Sequence, residues 1–187
     1  MGRYYQKYFE DYEEERVPNK RGNGTHLQYI YKGFYYRQEL NKGMQIALRI
    51  CYGMLFLMEL YFFAKAGTKL ISCNANAVMA LLQSLSMLCY VWLGWILVFY
   101  VSAPRNMTIY KYKSTALQLL KAQKLSAVLS LGMLLAAVVL TGISDGFSIA
   151  VLKEMQEYFL MAVLAVLWLF TEKSMIYRKI YKSQKGM

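Results

Sequence analysis

A single carboxylate, Glu59, stands inside an apolar run from Met44 to Ala64 (MQIALRICYGMLFLMELYFFA). In a bilayer, an ionisable group costs about 2.5–3.5 kcal/mol on insertion scales, so it demands a partner or a function. Counted from the outer end of the run at 1.5 Å per residue, Glu59 lies roughly 7.5 Å deep. Gln83 reaches nearly the same depth on the next, antiparallel run, with Ser84 and Ser86 beside it. A Glu59–Gln83 hydrogen bond would satisfy both groups as structural glue. The alternative chemistry is a proton- or cation-coupled site. Arg49 lies near the opposite end, where its long side chain can snorkel to the head groups as an anchor. On the third apolar run, Ser126–Ser130 and Gly132–Ala136 are small-xxx-small pairs that suit close helix packing. They read as an interface within the bundle or between subunits, with no chemistry of their own.

Little else in the chain could react. His26 is the lone histidine. Three cysteines, Cys51, Cys73 and Cys89, stand in no C-x-x-C spacing, which excludes the usual zinc and disulfide patterns. Cys51 and Cys89 read as buried, inert thiols and Cys73 as a free thiol in an outer loop. An embedded enzyme needs convergent acids, bases, nucleophiles or metal ligands. With no histidine, paired cysteines or clustered aspartates in the apolar runs, the expectation is a non-enzyme with no metal and no cofactor.

The elements that must position these residues follow from composition. Of 187 residues, 57% are hydrophobic, 16% aromatic and 18% charged, with a net charge of +11. A soluble domain is about 45–50% apolar and about 25% charged. The excess is segregated into four runs, each near the roughly 20 residues that span a bilayer core. They are 44–64, 77–101, 123–142 and 152–171. The fourth is the weakest, because Lys153, Glu154, Gln156 and Glu157 crowd its first turns. A soluble helix should show a polar face, and SLGMLLAAVVL (130–140) has none beyond its first serine. The sequence therefore predicts an all-α membrane protein, a four-helix transmembrane bundle. No cleavable signal peptide is expected, since the first apolar run starts at residue 44. Gln6 stands where a myristoylation signal at Gly2 would need Ser or Thr.

Lys and Arg number eight in 1–43, four in 102–122 and five in 172–187, against two in 65–76 and none in 143–151. By the positive-inside rule both termini are cytoplasmic, which predicts a multi-pass protein of the cell membrane, N-in and C-in. The basic residues sit at helix boundaries, where they meet anionic lipid, so nucleic acid is not an expected partner.

The cytoplasmic tail, 1–43, runs against this sign. Tyr4, Tyr5, Tyr8, Phe9 and Tyr12 share one face if residues 3–15 are helical. Two basic and five acidic residues give the first fifteen a charge of −3. A membrane-surface helix should be basic, so the expected partner is a protein groove, or the chain's own basic loop around Arg105, Lys111 and Lys113. A solvated tail is the alternative. Residues 16–26 read as a linker, and 29–37 as an interfacial aromatic belt in preference to a hairpin. The final segment, 172–187, is a basic cytoplasmic tail.

Tyr29 to Tyr36 has the form Y-x-Y-x-G-x-Y-Y. Placed ahead of four runs and a basic middle loop, it resembles small uncharacterised tetraspan membrane proteins of Gram-positive gut bacteria. That resemblance covers the plan of 29–187 and implies neither an activity nor any functional residue. Function is then weighed from the residues. The favoured expectation is a non-catalytic accessory, assembly or regulatory subunit of a larger membrane complex, such as a transporter. The alternative is a small homo-oligomeric transporter or channel using Glu59. Its partners are the lipid bilayer and other membrane subunits, or further copies of itself.

Overall fold

The computed structural model describes residues 11–18, 24–69, 72–144, 152–153 and 155–181. In chain order these form β1 (Tyr12–Pro18), β2 (Thr25–Tyr31), β3 (Tyr35–Gln38), α1 (Lys42–Gly67), a 3-10 turn (Ser72–Ala75) and α2 (Ala77–Val101). There follow β4 (Asn106–Met107), α3 (Ile109–Ser114), α4 (Ala116–Ser144), α5 (Gln156–Lys173) and β5 (Tyr177–Ile180). The chain divides into a helical unit, Leu40–Ser102 with Thr115–Met175, and a sheet unit assembled from Met1–Glu39, Ala103–Ser114 and Ile176–Met187.

In the helical unit, side chains cap the first two long helices. Asn41 accepts from the Met44 N–H at 2.8 Å and Asn76 from the Val78 N–H at 2.9 Å, each satisfying one donor that a helix start leaves open. Three helices, Lys42–Gly67, Ala77–Val101 and Ile109–Ser144, are long and apolar enough to cross a membrane. The fourth expected span, 152–171, does not meet that standard. It is a helix, α5, of 18 residues, roughly 27 Å long at 1.5 Å per residue. Glu157 lies at its start, with Glu172 and Lys173 at its end. Those charges take it out of the apolar class to which the other three belong.

Packing runs α1 on α5, α5 on α4, and α4 on α2, with a lighter α1–α2 contact. That lighter contact is close where Gly94 of α2 faces α1: a Cβ there would come within 2.9 Å of the Phe56 ring. Only Gln45, Tyr52, Glu59 and Ala66 of α1 are buried, one every seven residues. Such spacing presents a narrow seam to a neighbour. The rest of α1 turns large apolar side chains outward, Ile50, Met54 and Leu57 being at least 60% exposed. Tyr52 Oη donates to Glu172 Oε2 at 2.7 Å, while Lys65 and Lys69 at the far end of α1 pair with Glu157 at 3.3 and 2.6 Å. Hence α1 and α5 are antiparallel, and the start of α1 and the end of α5 lie at the same end of this unit.

The sheet unit contains two small sheets. β1 and β2 pair antiparallel from Tyr12↔Tyr31 to Pro18↔Thr25. β3 is the centre of the second sheet, flanked by β4 and β5. Three of the sequence expectations change here. Residues 12–15, read as the end of an amphipathic helix, are in β1, so Tyr12 sits on a strand with its ring 5.1 Å from Tyr31. Cross-strand pairing outweighs the weak propensity of a short helix. Tyr4, Tyr5, Tyr8 and Phe9 lie outside the described residues. The 16–26 linker shrinks, because β1 runs to Pro18 and β2 starts at Thr25. Residues 29–37, read as an interfacial aromatic segment, fall in two strands that pair with different partners and so form no single hairpin.

Aromatic contacts fill this unit. Tyr36 stacks on Tyr112 with ring centroids 4.1 Å apart, and Tyr112 meets Tyr177 at 5.0 Å. Tyr31 Oη donates to the Phe34 carbonyl at 3.0 Å and accepts from the Ile109 N–H at 3.3 Å. Lys32 pairs with Glu13, and that hydrogen bond holds the Lys32 ammonium above its ordinary range. Gly33 is required between these groups, since a Cβ would come within 2.6 Å of the Tyr31 ring and 2.9 Å of Asp11. Gly33→Ala should therefore displace Tyr31 and destabilise the sheet unit by about 1–3 kcal/mol. Hydrogen exchange should rise across residues 25–36 and 106–112 and stay unchanged in α1, α2 and α4; unchanged exchange in both regions would refute this account.

Candidate functional site

One residue of the buried α1 seam, Glu59, reaches across to a polar line on α4. Along α4 the inward positions include Gln123, Ser126, Ser130 and Thr141, spaced at helical intervals. Glu59 has no exposure to solvent, and its Oε2 accepts a hydrogen bond from Ser126 Oγ at 3.3 Å. The other carboxylate oxygen, Oε1, is buried without a partner. From α2, Tyr90 (3% exposed) brings its hydroxyl beside Ser126 and Ser130. Neither Tyr90 Oη nor Ser130 Oγ reaches a partner at hydrogen-bonding geometry. Gln123, one turn before Ser126 and 1% exposed, leaves both amide atoms unpartnered. An unpaired buried polar atom costs about 1–3 kcal/mol, so the neighbourhood of Glu59 holds unspent hydrogen-bonding and charge-compensating capacity.

The expected Glu59–Gln83 pair does not form. Gln83 Nε2 instead donates to Tyr158 Oη at 2.9 Å, and the Tyr158 hydroxyl donates to Asn74 Oδ1 at 2.6 Å. Asn74 Nδ2 in turn donates to the Ala66 and Lys69 carbonyls at 2.9 and 2.8 Å. This network ties the 3-10 turn to α1, α2 and α5, beside the Glu157 pair with Lys65 and Lys69. Equal depth along antiparallel helices was the argument for pairing Gln83 with Glu59. Depth alone does not fix which way each residue faces around its helix.

Other predicted residues separate clearly. Ser84 is exposed and donates to the Ala80 carbonyl of its own helix at 2.8 Å, so it belongs to no site. Ser86 is buried against α4, its hydroxyl 3.6 Å from Met133 Sδ. Arg49, read as a head-group anchor, donates from Nη1 to the Val101 carbonyl at 2.9 Å. A cation at the carbonyl end of α2 is favourably placed against that helix's dipole. Ser126, read as a packing residue without chemistry, is the hydrogen-bond donor to Glu59. Ser130 joins the same neighbourhood. Gly132 and Ala136 are half-buried, and Gly132 is loosely packed, since a Cβ there would lie 4.0 Å from Leu82.

Tyr90 and Gln123 were missed as site residues, as were Asn74 and Tyr158. Gln123 had a readable signal, a polar residue opening an apolar run at seven residues from Ser130. Tyr90 had none, because a tyrosine in such a run looks like any other aromatic. Cys89 and Cys73 are buried and Cys51 is exposed, and none of the three is in a disulfide. Cys51 was expected to be buried, but it lies off the α1 seam. Among the described residues, no three His, Cys, Asp or Glu side chains converge as a metal site would need.

The chain matches no protein-family model, and no curated protein or solved structure is significantly similar to it.

Two substitutions separate the polar contact from mere small size. Ser126→Ala removes the one donor to Glu59 and should lower the unfolding free energy in detergent by about 1–3 kcal/mol. Gly132→Ala should stay within about 0.5 kcal/mol of the parent. Denaturation followed by circular dichroism measures both, and equal effects would contradict the assigned roles.

Proposed function

We propose that this chain is a non-catalytic, multi-pass integral protein of the cell membrane with both termini cytoplasmic, serving as an accessory, assembly or regulatory subunit of a larger membrane complex. The observation that carries this reading is the β4–β3–β5 sheet, which joins the N-terminal segment, the middle loop and the C-terminal segment. Strands in one ladder must share one side of a bilayer, because an open sheet edge is not tolerated in hydrocarbon. These same three segments hold most of the Lys and Arg, and that excess marks the cytoplasmic side.

The outward faces of the helices support the membrane environment. Leu88, Val91, Trp95 and Val98 of α2 are each at least 65% exposed, while polar Ser86 turns inward. A soluble protein rarely leaves so large a contiguous apolar surface open to water. In this reading α5 completes the bundle, its end carboxylates held by Tyr52, Lys65 and Lys69. The accessory role draws support from the burial of Glu59, Ser126 and Ser130 inside the helical unit, away from any open solute path among the described residues. The unpaired oxygen of Glu59 favours a second reading, a small homo-oligomeric transporter or channel.

Purification of the full chain in mild detergent separates the two readings. Stoichiometric recovery of another membrane protein is the expected result. A pure homo-oligomer whose liposomes conduct ions, and lose that flux with Glu59→Gln, would replace the accessory reading with transport. For topology, cytoplasmic reporters fused to either terminus should both be active, and an externally active C-terminal fusion would refute the orientation.

A further inference from the structure

We propose that Glu59, Ser126, Ser130 and Tyr90 form a binding site for a monovalent alkali cation, sodium or lithium, that exchanges with the carboxyl proton. The inference rests on the membrane-embedded reading of the bundle and not on transport. Its starting point is charge. Glu59 is sealed from solvent, and a buried carboxylate without a compensating charge is strongly disfavoured. Among the described residues, no basic side chain answers it. From α4 it meets the Ser126 hydroxyl, with Ser130 one turn on. From α2 the Tyr90 hydroxyl lies beside Ser126 and Ser130, and the Cys89 thiol is turned to the Ala122 carbonyl at 3.7 Å. The inward face of α5 carries Met161, Ala162, Ala165 and Trp168 between Glu157 and Glu172. Those two carboxylates are engaged by Lys65 and Lys69 and by Tyr52. Compensation must therefore come from solution, as a proton or as a cation.

The donor set selects among cations. Glu59 Oε1, Ser130 Oγ and Tyr90 Oη are buried oxygens without hydrogen-bond partners. Ser126 Oγ, which spends its proton on Glu59, keeps lone pairs free. An all-oxygen set suits hard ions and disfavours softer metals such as zinc and copper, which prefer nitrogen or sulfur. One carboxylate supplies one negative charge, so a monovalent ion leaves the site neutral and a divalent ion would leave a buried excess. The exchange balances: the carboxyl releases its proton to solution as the cation enters, and carboxylate plus cation replace the neutral acid. Both states are neutral overall, which a low-dielectric interior tolerates.

The test is made on the full chain in mild detergent with a hydrophobic carbodiimide, which modifies protonated carboxyls in apolar surroundings. Adduct at Glu59 is read by mass spectrometry in choline, potassium, sodium or lithium chloride at constant ionic strength. The adduct should form in choline, and sodium or lithium should slow it about tenfold when present at about ten times its Kd. Lowering the pH by one unit should raise the sodium needed about tenfold, as competition between one proton and one cation requires. Ser130→Ala and Tyr90→Phe should weaken sodium protection several-fold while adduct still forms in choline, a result that unfolding would not give. Adduct formation indifferent to sodium and lithium would overturn the site, as would equal protection by choline or failure of Glu59 to react in choline at any pH. Protection undiminished in both variants would overturn the assigned ligands. Release of the chain from native membranes by alkaline carbonate would end the membrane reading without bearing on the labelling result, and protection without flux would end only the transport reading.

Discussion

Helices with apolar outer surfaces have no hydrophobic reason to turn one face rather than another toward their neighbours, because lipid is as apolar as leucine. The rotation of α1 must be set by its polar residues. Its buried seam carries Gln45, Tyr52 and Glu59 ahead of Ala66. Two of these reach across to neighbouring helices, Tyr52 to Glu172 of α5 and Glu59 to Ser126 of α4. In the proposed membrane setting, rotating α1 away from this seam would turn a carboxyl and a phenol toward hydrocarbon, while its many exposed apolar residues would gain little. The polar seam, small as it is, decides the arrangement.

The sheet unit solves a different problem. Short strands of two to seven residues are marginal alone, and three or more with an apolar face are needed for stability. Here three distant stretches of chain supply one strand each to the β4–β3–β5 sheet. Rings of Tyr36, Tyr112 and Tyr177, one from each stretch, pack together and replace what a longer strand would contribute. Closing such long loops costs entropy that grows only slowly with length.

The long helices were legible because apolar length is a strong local signal: α2 begins and ends where the composition changes, at Ala77 and Val101. The weakness of the fourth run was legible for the same reason, its charges being visible in the sequence. The sheet was not. Tyr12 to Pro18 reads equally as a helical end or a strand, and only its pairing with residues 25–31 decides; the β3 partners lie some 70 and 140 residues away. At the site, Glu59 was legible from type and position, yet its partner was not. Gln83 and Ser126 are both polar residues on neighbouring runs, and the choice between them depends on helix rotation, which an all-apolar surface conceals.

The composition of the Glu59 neighbourhood separates a stabilising contact from a responsive one. If stability alone were at issue, a buried carboxyl would be best replaced by an apolar side chain of similar volume, a change that is often neutral or favourable. A lysine opposite it would fix the charge permanently, as Lys65 and Lys69 do for Glu157. The chain uses the second solution at Glu157 and neither at Glu59. Glu59 is instead met by hydroxyls, groups that can donate to a carboxylate or turn their lone pairs toward a cation. Only one of its two oxygens is engaged. In the proposed site such a carboxyl is neutral either as the acid or as carboxylate with a cation, and that is the physical requirement for exchanging one small cation for another.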